Sequence, residues 1–101
     1  MLKAISYWSM PGGLEGKCSI EDAFARAKAA GFDALELCIG LSGVLTPDTD
    51  EATCKEYRKI ADASGLQLQT LASGMSWDFS ATSNIEADRK KGIEIHKKAL
   101  Q

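Results

Sequence analysis

The chain is poor in the residues on which several protein classes depend. It has three cysteines, two prolines and a single histidine. Cys18, Cys38 and Cys54 are odd in number and far apart, which argues against a disulfide framework. No C-x-x-C pair is present to hold zinc. With His96 as the only imidazole, metal binding through soft ligands is not expected in this chain. The thiols read as reduced, small apolar side chains. Cys18, just before a helix start, is the one position where a reactive thiolate would arise. An excess of positive charge is also missing: 12 Lys and Arg stand against 14 Asp and Glu, a net charge of −2. That is no footprint for nucleic acid or an anionic membrane surface. No segment approaches the roughly 20 apolar residues of a membrane span. The opening Met1-Leu2-Lys3-Ala4-Ile5 turns polar at Ser6, too soon for a secretory signal. Few prolines, with 7% aromatic and 45% hydrophobic residues, speak against disorder. The expectation is one cytoplasmic globular domain over residues 1–101, since domains average about 100–200 residues.

What is present reads as alternating strands and helices. Ser19-Ile20-Glu21-Asp22 opens a first helix, whose stripe is Ala23, Phe24, Ala27 and Ala30 and whose stop is Gly31. Asp48-Thr49-Asp50-Glu51, after Pro47, opens a second that carries Tyr57, Ile60 and Ala61 and ends at Gly65. Ser83-Asn84-Ile85-Glu86 has the form of a capping box for a third, with Lys97 and Lys98 in its last turn. Between them lie three strand-length apolar runs, Leu2 to Trp8, Ala34 to Ile39 and Leu66 to Ala72. The helix-end signature Ala29-Ala30-Gly31-Phe32 recurs as Ala63-Ser64-Gly65-Leu66, one unit later. The fold class is therefore α/β, a βαβαβα order that requires a parallel sheet with right-handed crossovers. Links from helix to strand are short. Links from strand to helix, Ser9 to Cys18, Gly40 to Pro47 and Ser73 to Thr82, are about ten residues each, against the common 2–6. All three leave the carboxyl ends of parallel strands, where α/β folds place their sites.

Four features could carry chemistry. The loop Met10-Pro11-Gly12-Gly13-Leu14-Glu15-Gly16-Lys17-Cys18-Ser19 approaches the phosphate-cradling pattern G-x-x-x-x-G-K-[ST]. Pro11 stands where its first glycine belongs and Cys18 replaces the hydroxyl that holds Mg²⁺, so a flexible substrate-side loop is the better reading. Glu36 lies inside Ala34-Leu35-Glu36-Leu37-Cys38-Ile39. In a central strand it points into a polar cavity, and in an edge strand it points to solvent. Tyr7, Trp8, Trp77 and Phe79 gather after the first and third strands. They suit either a sugar ring's apolar face or a plug at the end of the sheet. His96 reads as a terminal cation of the third helix, and Asp88-Arg89-Lys90-Lys91 as a solvated helix face.

Ala30-Gly31-Phe32-Asp33-Ala34-Leu35-Glu36-Leu37, Gly65-Leu66-Gln67-Leu68 and Ala72-Ser73-Gly74 together resemble the xylose isomerase-like TIM barrels. Within them the likeness is to the sugar-phosphate isomerase/epimerase group. The resemblance spans the whole chain and implies the first three of eight βα units, a partial (β/α)8 barrel. It implies that Glu36 is the acidic residue of the second strand and that Trp8, Ser73, Gly74 and Trp77 line a sugar or sugar-phosphate pocket. Such enzymes move a proton between adjacent carbons with a divalent metal and two glutamates. The resemblance places those groups on later strands, so the chain alone should be catalytically silent, with no catalytic or metal-ligating residue of its own. Three βα units leave two open edges, and these favour self-association. Two alternatives remain: a non-catalytic α/β binding or assembly module that oligomerises at this length, and the DNA-cutting branch of the same superfamily. The lone His96 and the net charge of −2 speak against the second.

Overall fold

Side-chain caps fix where two of the helices begin. Ser19 accepts the Asp22 N–H at 3.2 Å and starts α1 (Ile20–Ala29). Asp50 accepts the Thr53 N–H at 2.7 Å and starts α2 (Glu51–Ser64). That backbone bond holds the Asp50 carboxyl below the ordinary carboxylate range. In the computed structural model, which describes residues 1–101, α3 (Glu86–Ala99) starts differently from the expected capping box. Ser83 Oγ accepts the Ile85 N–H at 3.1 Å and the Ser83 carbonyl accepts from Arg89 Nη1 at 2.7 Å. Ser83 is thus engaged in a turn ahead of the helix, and Ile85 flanks the first turn with no side-chain cap. No helix is long and apolar enough to cross a membrane.

The strands are β1 (Ala4–Ser6), β2 (Ala34–Ile39) and β3 (Leu71–Ser73), all parallel, in the order β1-β2-β3. The βαβαβα reading holds, and β2 is central. β1 is shorter than its apolar run because Ser6 Oγ accepts the Trp8 N–H at 3.3 Å and turns the chain into a single 3-10 turn, Tyr7–Ser9. The turn drives Tyr7 inward, where its hydroxyl donates to the Cys18 carbonyl at 2.6 Å and pins the first long loop.

The third apolar run contains a bulge. Ala34 bridges Gln67, and Leu37 pairs with Leu71. Three steps along β2 therefore meet four along the third segment, which inserts one extra residue and reverses which side chains face the helices. Leu66 and Leu68 pack into the main core before the bulge. After it, the register partners Leu37–Leu71 and Ile39–Ser73 share the helix-facing side, and Cys38 and Ala72 share the other. This accounts for Leu71 falling out of step with the Leu66–Leu68 alternation.

The main core lies between the sheet and the first two helices. Ile20, Ala23, Phe24 and Ala27 of α1 and Ala61 of α2 close on Leu35 and Leu37. A smaller cluster, Ile39, Met75 and Ile95, holds α3. The first two long loops touch through glycine. Val44 N–H donates to the Gly16 carbonyl at 3.1 Å, and a Cβ on Gly43, whose φ is 104°, would stand 2.7 Å from that oxygen. The glycines that resembled a phosphate cradle thus serve at least partly to let two loops cross closely.

Candidate functional site

The three long loops meet over the carboxyl ends of the strands and enclose an open cleft of about 400 Å³. Its walls include Trp8 from the turn after β1, Leu41 from the loop after β2, and Gly74, Met75, Trp77 and Asp78 after β3. Each wall follows from a local cause. The Ser6 cap sets the turn that carries Trp8. A second 3-10 turn, Met75–Trp77, closed by the Asp78 N–H to the Met75 carbonyl at 3.2 Å, presents Trp77 and Asp78. Met75 is buried in the cluster beneath α3 and anchors that turn, so Trp77, two residues on, stands 91% exposed. Gly74 matters for its lack of a side chain: a Cβ there would lie 3.4 Å from Trp8 Cζ2, against the indole face that lines the cleft.

Of the five residues singled out in the sequence, the fold brings three together. Trp8, Gly74 and Trp77 line one cleft. Glu36 lies outside that lining. It is the register partner of Ser6 on the side of the central strand that faces away from the helices. It is half-buried, so its carboxylate keeps access to water and needs no buried partner. Because β2 is the central strand, the edge-strand alternative for Glu36 falls, and the residue faces an open sheet surface below the cleft rather than the polar cavity expected of a central strand. Ser73 shares the helix-facing side with Ile39 as a consequence of the bulge. Its hydroxyl oxygen is buried without a hydrogen-bond partner, beside a separate cavity lined by Ser76, His96 and Leu71.

Leu14, Leu41, Met75 and Asp78 belong to the cleft without having been singled out. For two of them the sequence held a signal: Leu14 and Leu41 are apolar residues in loops with no helical or strand periodicity, and in the fold both stand exposed. His96 does not reach the cleft. Its Nδ1 lies 2.7 Å from the Gly92 carbonyl and its Nε2 lies 3.4 Å from Ser76 Oγ.

The two buried thiols are held toward their protonated forms. Burial pushes the Cys18 thiol up, and the Asp22 carboxylate beside it pushes it further. Burial likewise raises Cys38, whose Sγ lies 3.5 Å from Ser6 Oγ. Nowhere do three His, Cys, Asp or Glu side chains converge into a group able to hold a metal ion. The cleft presents two indoles, aliphatic walls and one carboxylate. No protein-family model matches the chain, and no curated protein or solved structure shows significant similarity to it.

Proposed function

We propose that this βαβαβα unit forms the substrate-side wall of a sugar or sugar-phosphate isomerase or epimerase, as the first three units of a (β/α)8 barrel. The observation that carries the reading is the placement of both tryptophans of the chain in one cleft at the carboxyl ends of parallel strands. Flat indole faces suit the C–H face of a sugar ring, and the Asp78 carboxylate suits its hydroxyls as an acceptor. Enzymes of this kind shift a proton between adjacent carbons with help from a divalent ion. The donor groups of this chain do not converge to hold such an ion, so no step of proton transfer is assigned to them. Their part is to bind and orient. Three free cysteines are in keeping with work in the reducing cytoplasm.

A titration of tryptophan fluorescence with free and phosphorylated ketoses and aldoses tests this. Binding should quench or shift the emission, and Trp77→Ala should weaken it about tenfold or more, the equivalent of ~1.4 kcal/mol. Because Trp77 is so exposed, the same substitution should move stability by no more than about 0.5 kcal/mol. Sugar affinity unchanged in Trp77→Ala would remove the cleft from the account.

A second reading, a non-catalytic module that assembles with copies of itself, is favoured by one observation. The outer edges of β1 and β3 are unpaired in the three-stranded sheet. Concentration-dependent mass in sedimentation, together with no response to any sugar, would support it over the first.

A further inference from the structure

We infer that the cleft takes an uncharged sugar and discriminates against its phosphate ester. The inference rests on the sugar-binding reading above and narrows it. Asp78 carries the only formal charge in the cleft lining, and it is negative. It takes part in none of the five salt bridges of the chain, so no cation offsets it. No lysine or arginine lines the cleft. Lys91 of the third helix is held over the Phe79 ring at 4.0 Å.

The other means by which α/β folds hold phosphate is a helix N-terminus at the end of a strand-to-helix loop. All three such ends are already supplied with carboxylates. Glu21 and Asp22 occupy the first turn of α1, Asp50 and Glu51 the start of α2, and Glu86 and Asp88 the first turn of α3. Asp22, Glu51 and Glu86 pair with cations one turn further on. Glu21, Asp50 and Asp88 do not, so at each helix start a carboxylate already offsets the positive field that a phosphate would need. A phosphate monoester carries about −1.5 to −2 charges at neutral pH, and the cleft lining offers it one carboxylate and no cation, the loop lysine Lys17 lying outside that lining. A neutral sugar carries no such cost, and Asp78 can accept from its hydroxyls.

Isothermal titration of the full chain with D-fructose and with D-fructose 6-phosphate, at low and at high ionic strength, tests the inference. Fructose should bind on the order of tenfold more tightly than the phosphate at low salt, and the gap should narrow as salt screens the repulsion. Asp78→Lys should narrow or reverse the preference. Asp78→Asn, which alters shape least, should narrow it even if the lysine variant folds poorly. Equal or tighter binding of fructose 6-phosphate by the unaltered chain would overturn the inference and leave the sugar-binding reading intact. Binding of neither compound would overturn both.

Discussion

Replacing Phe24 with alanine is expected to lower the free energy of unfolding by about 3–5 kcal/mol. The ring is 1% exposed and belongs to the main core cluster. Its neighbours on the same helix stripe, Ala23 and Ala27, are fully buried and too small to fill the space it would leave. With Ile20, the ring supplies most of the side-chain volume that α1 contributes between itself and β2. Domains hold about 0.05–0.15 kcal/mol per residue, so a chain of this length has about 5–15 kcal/mol in all. A urea titration followed by circular dichroism should show a much lower midpoint with an unchanged slope. A loss under about 1 kcal/mol would mean that α1 does not pack on the sheet through this ring.

Gly92→Ala should release α3 while the sheet stays folded. Two effects compete. Alanine is favoured over glycine in a helix interior by about 1 kcal/mol. Against that, a Cβ at this position would stand 2.3 Å from the Phe79 carbonyl oxygen and 2.9 Å from the Ala81 nitrogen. Both are backbone atoms, which cannot swing aside as a side chain would, and overpacking of this kind costs about 1–3 kcal/mol or more. The clash wins, and it acts where the hold is weakest. α3 is anchored mainly by Ile95 in a three-residue cluster with Ile39 and Met75. Amide hydrogen exchange should therefore accelerate across Glu86–Ala99 and stay protected in Ala34–Ile39. Since Phe79 directly follows Trp77 and Asp78, sugar affinity should fall as well. Uniform acceleration, or a more stable protein, would show that α3 and the Phe79–Ala81 segment do not touch as described.

These two substitutions also mark what the sequence could and could not reveal. Phe24 was legible because the Ser19 cap, the alanine stripe and Gly31 all specify one helix with one apolar face. β2 was legible to its ends, since Asp33 and Gly40 bound a run of the right length. Nothing local announced the close approach of Gly92 to Phe79, which depends on atoms far away in sequence. Ser83 shows a different limit. Its spacing from Glu86 fits a capping box, yet the same hydroxyl can bond the N–H two residues on, and in this fold that turn is what forms.

The candidate site divides along the same line. Trp8, Gly74 and Trp77 meet in one cleft because parallel βα topology sends every strand's carboxyl end to one face. The sequence leaves Glu36 between an edge and a central strand, and the fold puts it on the central strand, facing away from the helices and three residues before that strand ends. Ser73 was misdirected by a bulge. The alternation Leu66, Gln67, Leu68, Gln69 sets a parity that the extra residue reverses before Leu71, and the break at Leu71 leaves the inward side of the third strand open without showing where the extra residue sits. Asp78 went unnoticed because an acidic residue in a loop is ordinary until the neighbouring walls prove to be apolar.

The central claim is that the loops at the carboxyl ends of the strands form a sugar-binding wall. The most direct test is an amide and indole NMR titration of the full chain with D-fructose. Shifts concentrated on the Trp8 and Trp77 indole N–H signals and on the amides of Leu41, Gly74 and Asp78 are the expected result. Shifts centred instead on α2 or α3, or none up to saturating sugar, would contradict it.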